Sequence, residues 1–309
     1  MTVMHPTELH GPFRKRLDAF ARELKDVEDG DVGALHRTRV ASRRLREVVP
    51  LLELDGDVSH RLSRRLRKVT RALGPVRELD VLMLLIQELE ANDRYPPTAL
   101  KHVAATVAQG RAAARERLSA KSPTSKLQRL ARALEHASQR LQSADTESNR
   151  LKTKRSRRAW EWALDARVAR RGGCLGAAIE AAGTAYAAGP LHAVRIAVKR
   201  LRYAAELAAE AMHTRIGADL AVLKTMQNRL GRLHDLQVLL VRARETQVSA
   251  SLTDLAVWRE LGALVRVVED DCRTLHARYM SDRAALMAVA NRMGARTPDA
   301  RLIARRPAV

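Results

Sequence analysis

A chain of 309 residues, 46% of them apolar, is long enough to bury sizeable cores in two units of ordinary domain size. Its 56 Lys and Arg against 35 Asp and Glu leave a net charge of +21, which directs attention to polyanionic partners: nucleic acid, an anionic membrane surface or another polyanion. Two cysteines, Cys174 and Cys272, exclude a disulfide framework, and 3 Trp, 4 Tyr and 2 Phe are few for a protein that grips bases by stacking.

In chain order, Met1 to Pro12 shows no apolar signal-peptide segment, and with the cysteine usage this gives the expectation of a cytoplasmic protein. Almost every later stretch is rich in Ala, Leu, Arg and Glu, with no alternating strand pattern, so the fold class is all-α. Gly and Pro punctuation places helices at 8–28, 32–54, 58–73, 75–92, 98–120 and 123–143 in the first half. In the second half it places them at 150–171, 174–187, 190–213, 216–230, 232–247, 252–280 and 281–294. The longest apolar run, Val81 to Ile86, is far too short to span a bilayer, and no membrane partner is expected. The stretch Ser143 to Arg158 reads as a solvated connection. The expected organisation is therefore a first helical bundle at 1–148, a second at 149–294, and a basic flexible tail at 295–309.

One basic phrase occurs twice. Leu35 to Arg46 and Leu191 to Arg202 both read L-H-x-x-R-[VI]-A-x-[RK]-R-L-R without a gap, which points to an internal duplication. On a helix His36, Arg39, Arg43 and Arg46 fall within an arc of about 80°, with Ala41, Leu45, Val48, Val49 and Leu52 opposite. In the second copy His192, Arg195, Lys199 and Arg202 form the row, against Ala197, Leu201, Ala204, Ala205 and Ala208. Like charges three and four residues apart repel. A row that is cationic twice over, without interleaved Glu, implies an anion that neutralises it.

A second block follows at nearly the same offset: Leu73 to Leu82 matches Leu230 to Leu239, with Arg232 where the first copy has Pro75. Ahead of it runs another basic stripe, Arg61, Arg64, Arg67, Lys68 and Arg71, thinner in the second half, where Lys224 aligns with Arg67 and Asn228 with Arg71. If this stripe lies beside the histidine helix, the two form one groove; the plain alternative is a solvated face.

His36 and His192 sit on the cationic rows, whereas His60, His102, His136, His213 and His276 fit ordinary core histidines. Neither H-x-x-x-H nor C-x-x-C spacing occurs, and neighbouring arginines disfavour a bound cation, so no metal site is expected. His234-Asp235 invites comparison with a metal phosphohydrolase, but its aligned pair is Arg77-Glu78. Asp235 reads as a helix-opening residue, with His234 joining the anion-binding side chains. Phosphate-loop, dinucleotide and nucleophile-elbow motifs are absent.

The duplicated phrases, each followed by an L-G-x-x-[RH]-[DE]-L-x-V-L block, resemble the CHAD domain, the conserved histidine α-helical domain, over about residues 8 to 294. The resemblance implies two helical bundles related by pseudo-twofold symmetry, with a basic central groove that binds inorganic polyphosphate. It implies residence on polyphosphate granules, a role in granule association or regulation, and no catalysis or cofactor. Carried residue by residue, it places the contacts at His36, Arg39, Arg43, Arg44 and Arg46, at His192, Arg195, Lys199, Arg200 and Arg202, and at Arg77 and His234. Polyphosphate suits the composition, since it needs rows of guanidinium forks and no aromatic shelf. Two alternatives stay open on sequence: a nucleic-acid-binding protein, and a metal-dependent phosphohydrolase acting on polyphosphate or nucleotides.

Overall fold

The computed structural model describes residues 9–28, 30–52, 54–120, 123–147, 150–250 and 254–295, with the side chains of 28, 123–124, 144–147 and 150–159 excepted. Residues 296–309 of the tail expected at 295–309, and the basic side chains of 152–158, lie outside the described residues. All regular structure among the described residues is helical.

The first half contains α1 (His10–Arg22), α2 (Leu24–Glu28), α3 (Val32–Val48), α4 (Gly56–Ala72), α5 (Gly74–Glu90), α6 (Pro97–Ala120) and α7 (Pro123–Glu147). The second contains α8 (Arg150–Ala182), α9 (Ala188–Ala211), α10 (Gly217–Ser249) and α11 (Leu255–Gly294). Helices α1, α3, α4 and α7 pack in a ring, as do α8, α9, α10 and α11. The α5–α6 hairpin leaves the first ring and packs on α10 and α11. A single apolar cluster runs through both halves, from Phe13 and Leu45 to Leu201 and Leu264.

The faces expected to be apolar are the buried ones. Ala41, Leu45, Val48, Val49 and Leu52 on the first phrase helix, and Ala197, Leu201, Ala204, Ala205 and Ala208 on the second, are all buried. Asp31 starts α3 by accepting a hydrogen bond from the Ala34 backbone N–H. Pro50, which has no N–H to donate, turns the end of this segment into a short 3₁₀ turn at Val49–Leu51. The helix expected at 32–54 therefore stops at Val48.

Three expected breaks are absent. Gly172-Gly173 lies inside α8, because a Cβ at Gly172 would sit 2.5 Å from the Gly294 backbone nitrogen and 2.8 Å from the Ala290 carbonyl oxygen. This glycine serves close approach of α8 to α11. Gly231 lies inside α10, where Arg232 supplies the N–H that Pro75 cannot. Position 280–281 lies inside α11, with no Gly or Pro to stop it. Asp235 consequently stands mid-helix and opens nothing.

Ion pairs tie the halves together. Arg167 on α8 grips the buried Glu47 of α3, with Nη2 at 2.6 Å, and Arg16 on α1 holds Glu210 of α9 at 2.7 Å. Arg232 donates to both oxygens of Glu88 at 2.7 and 2.8 Å, a bidentate link from α10 to α5. Tyr95 and Arg94 both donate to Asp271 on α11. The five histidines expected in the core are not there. His60, His102, His136 and His213 are exposed and His276 is half-buried: helical periodicity sets His60, His102 and His136 beside the buried Ser59, Val103 and Ala137 rather than at their positions, and His213 lies past the end of α9.

Candidate functional site

Helices α3 and α9 pack against each other, and α5 packs against α10. This places the two phrase helices and the two following blocks around one centre. His36, Arg39 and Arg43 from α3 and Arg77 and Glu78 from α5 meet His192, Arg195 and Lys199 from α9 and His234 and Asp235 from α10. Their charges act across the boundary between the halves: Arg39 is acted on by Arg195, Lys199 by Arg43 and Arg39, His192 by Glu78, and Asp235 by Arg77.

The centre is short of counter-charge. Burial, and then the neighbouring Arg195, Arg43 and Arg39, push the Lys199 ammonium down to about 7, with Asp235 only partly opposing them. Arg39 is pushed down to about 10, by burial first and Arg43 next. Arg195 and Arg77 are held below the ordinary guanidinium value mainly by burial, which Asp235 partly offsets in both. Burial also pushes the Asp235 carboxyl up, although Arg195 and Lys199 act against this.

The histidines respond in the same direction. His234 is pushed down to about 4 by burial, Arg195, His192 and Lys199. His192 and His36 are lowered by partial desolvation and then by their neighbouring arginines, Arg195 for the first and Arg77 for the second. The Nδ1 atoms of His192 and His234 are 3.3 Å apart, so when one donates the other must be unprotonated there. A dianionic group placed between such rings would stabilise the protonated forms.

Several cations already have partners. Arg39 donates to the Thr70 carbonyl at the end of α4, and its guanidinium fills the space that a Cβ on Gly74 would enter. Arg202 donates to Gln227 at 2.9 Å and to Glu206 at 2.7 Å, and Arg44 lies 3.7 Å from the same Glu206. The Nε of Arg195 is buried and has no hydrogen-bond partner among the described residues. At the far end of the first row Arg46 lies near Arg67 and Arg200. Arg46 and Arg67 line an open hollow of about 440 Å³ together with His60 and Ser63.

The basic stripe ahead of Gly74 joins only in part. Arg67 reaches the row through Arg46, whereas Lys68 and Arg71 on α4, and Lys224 and Asn228 on α10, stand on exposed faces that the described contacts do not bring to the centre. The sequence reads Asp235 as a helix-opening residue and gives Glu78 no role, yet both stand among the cations. It passed over Arg167 and Arg171 of α8, which flank Glu47. Both lie in the helix expected at 150–171 but in neither repeated motif, so only the approach of α8 to Glu47 brings them in.

No group of three or more His, Cys, Asp or Glu among the described residues is arranged to hold a metal ion. No helix among them is long and apolar enough to cross a membrane.

Comparison with known proteins follows the same lines. The CHAD domain crystal structure from the plant Ricinus communis is similar at 21% identity and a TM-score of 0.55, covering 92% of this chain and 90% of that one. PptA from Streptomyces chartreusis is similar at 16% identity and a TM-score of 0.52, covering 95% of this chain and 99% of that one. These likenesses establish the helical fold. No curated protein matches in sequence. The CHAD domain family model matches residues 12–244, and the chain belongs to the CHAD domain family.

Proposed function

We propose that this protein binds inorganic polyphosphate at the cationic centre between its halves and acts as a receptor rather than as a catalyst. The observation that carries this reading is the uncompensated charge: eight basic side chains (His36, Arg39, Arg43, Arg77, His192, Arg195, Lys199, His234) stand around Glu78 and Asp235, and most are held below their ordinary protonation strength by one another and by burial. Such a cluster is costly without an anion, and a phosphate chain supplies charge at every unit. Membership of the CHAD family is consistent with polyphosphate binding. Binding along a chain that carries no bases also suits a protein with so few aromatic rings. Association with polyphosphate granules follows as part of the same proposal.

The test is the double reversal Arg39→Glu with Arg195→Glu, one from each half. Each removes a charge-assisted contact and adds repulsion, so affinity for long-chain polyphosphate falls by about a hundredfold or more. Unchanged affinity by titration rules the site out. Affinity of the wild type also falls steeply with added salt, as counterion release requires. RNA at equal phosphate concentration serves as competitor: displacement of polyphosphate by RNA turns the reading towards nucleic acid. Release of phosphate with Mg²⁺ or Mn²⁺, lost in His234→Ala, turns it towards hydrolysis.

A further inference from the structure

Arginine crowding does not end at the centre. Beyond Arg46 the chain brings Arg167 and Arg171 of α8 against the end of α3, around the single carboxylate of Glu47. Arg167 takes that carboxylate, with Nε at 2.8 Å from Oε2 and Nη2 at 2.6 Å. Arg171 is left 3.9 Å from the other oxygen, and its Nε is buried without a hydrogen-bond partner among the described residues. Arg200, an exposed member of the second phrase, acts electrostatically on both Arg46 and Arg171. It therefore links the centre to α8.

Between α8 and α9 these residues border an open hollow of about 280 Å³. Arg171, Cys174 and Ala178 of α8 and Ala193, Ile196, Ala197 and Arg200 of α9 line it. The α9 wall offers methyl groups and no carboxylate, so nothing within it competes for the two guanidinium forks. Short side chains leave room for a group the size of a phosphate.

We propose that this hollow is a further phosphate subsite, in which Arg171 and Arg200 hold the segment of polyphosphate leaving the centre past Arg46. The inference rests on the polyphosphate reading above and extends it to a residue of α8 that lies in neither repeated motif. It also gives Cys174 a use as a reporter. Cys174 is exposed at the hollow and Cys272 is buried, so a thiol reagent reads only the first in the folded protein.

The experiment measures the rate of iodoacetamide alkylation at Cys174 of the full chain by mass spectrometry, with and without long-chain polyphosphate, beside a binding titration. At ten times the dissociation constant an occupied subsite slows alkylation by about tenfold. Arg171→Gln, with helix content checked by circular dichroism, removes that protection while lowering overall affinity by only about three- to tenfold, the loss of one charged contact. Polyphosphate that binds in the titration yet leaves Cys174 alkylation unchanged overturns the subsite and leaves the central site standing. Protection that persists undiminished in Arg171→Gln overturns the role of Arg171. Absence of polyphosphate binding in the titration overturns both readings.

Discussion

In the first half the seam between α3 and α4 is polar. Ser42 and Thr70 share a 2.9 Å hydrogen bond, and Thr38 is fully buried beside them. In the second half the positions that match Thr38 and Ser42 are Val194 and Val198, both fully buried. The difference continues into the cationic rows. Arg39 is anchored on the Thr70 carbonyl, and Arg46 at the other end of its row has no such anchor among the described residues, with Glu47 only partly offsetting burial and the nearby Arg67, Arg43 and Arg200. Arg195, which matches Arg39, keeps its Nε unpartnered, and Arg202, which matches Arg46, is anchored on Glu206 and Gln227. The block residues differ in kind as well, with Arg77 matched by His234. One phrase, folded twice, gives a side whose charge rests mainly on arginines, with His36 the one titrating member, and a side where Lys199, His192 and His234 all depend on their surroundings. A repeated motif thus fixes where a side chain stands, while the neighbours from other helices decide what that side chain can do.

The largest expected effect comes from exchanging the two helix paths. Pro75 separates α4 from α5, whereas Arg232 keeps α10 continuous and clasps Glu88. Arg232→Pro removes an N–H, sets its ring against the carbonyl four residues earlier and breaks the bidentate pair. The cost is about 3 kcal/mol or more, read as a drop in the denaturant midpoint. Glu88→Gln, which loses only an exposed ion pair, costs about 1 kcal/mol or less. Similar losses from the two substitutions would mean that helix continuity contributes nothing.

How much of this was open to reading in the sequence is clear from particular residues. The buried and cationic faces of both phrase helices follow from helical period alone, and so do the rows His36–Arg46 and His192–Arg202. The second block points to Arg77 and His234, which the fold places at the same centre. Lys68, Arg71, Lys224 and Asn228 share faces with useful cations, but helical period cannot say whether a neighbouring helix lies over that face. Gly172 reads as a stop in a one-dimensional pattern because its purpose, contact with Gly294 and Ala290, lies across the bundle. Arg167 and Arg171 lie in the helix expected at 150–171, but their partner Glu47 is on α3, which helical period does not place beside them. Coupling of Lys199 to Arg39 and Arg43 is likewise a property of two helices meeting, and neither phrase contains it.

A smaller effect isolates the titrating lysine of the second side. In the free protein Lys199 lies at about 7, below its ordinary 10.5, and bound phosphate favours the charged form and raises it. Between pH 7 and that raised value binding takes up a proton, so affinity falls as pH rises. His234, at about 4 when free, gives the same sign at lower pH, as do the lowered His192 and His36. From pH 7 to 9 the dissociation constant for polyphosphate rises by about tenfold in the wild type, one proton's linkage spread over that window. In Lys199→Arg the side chain stays charged, and the rise shrinks to a few-fold at most. Titration of the phosphate itself is common to both proteins, so equal slopes would remove Lys199 from the pH response.

The smallest effect sharpens the comparison at a single atom. Gly74 and Gly231 hold matching places, but a Cβ at Gly231 meets nothing within 4 Å, while one at Gly74 stands 3.2 Å from Arg39 Nη1. Neither has a left-handed φ, so alanine fits the backbone at both. Gly231→Ala therefore stabilises α10 by about 0.5–1 kcal/mol, the ordinary helix-interior difference, and leaves polyphosphate affinity unchanged. In Gly74→Ala the guanidinium must shift by a few tenths of an ångström, which strains its bond to the Thr70 carbonyl and offsets the gain in helix propensity. Stability then changes little, and affinity falls by about two- to fivefold, less than the loss of a whole charged contact because Arg39 is displaced rather than removed. The two alanines thus separate scaffold from site: the first moves the denaturant midpoint alone, the second the binding curve alone. Equal behaviour of the pair in both assays would mean that the position of Arg39 is not held by Gly74.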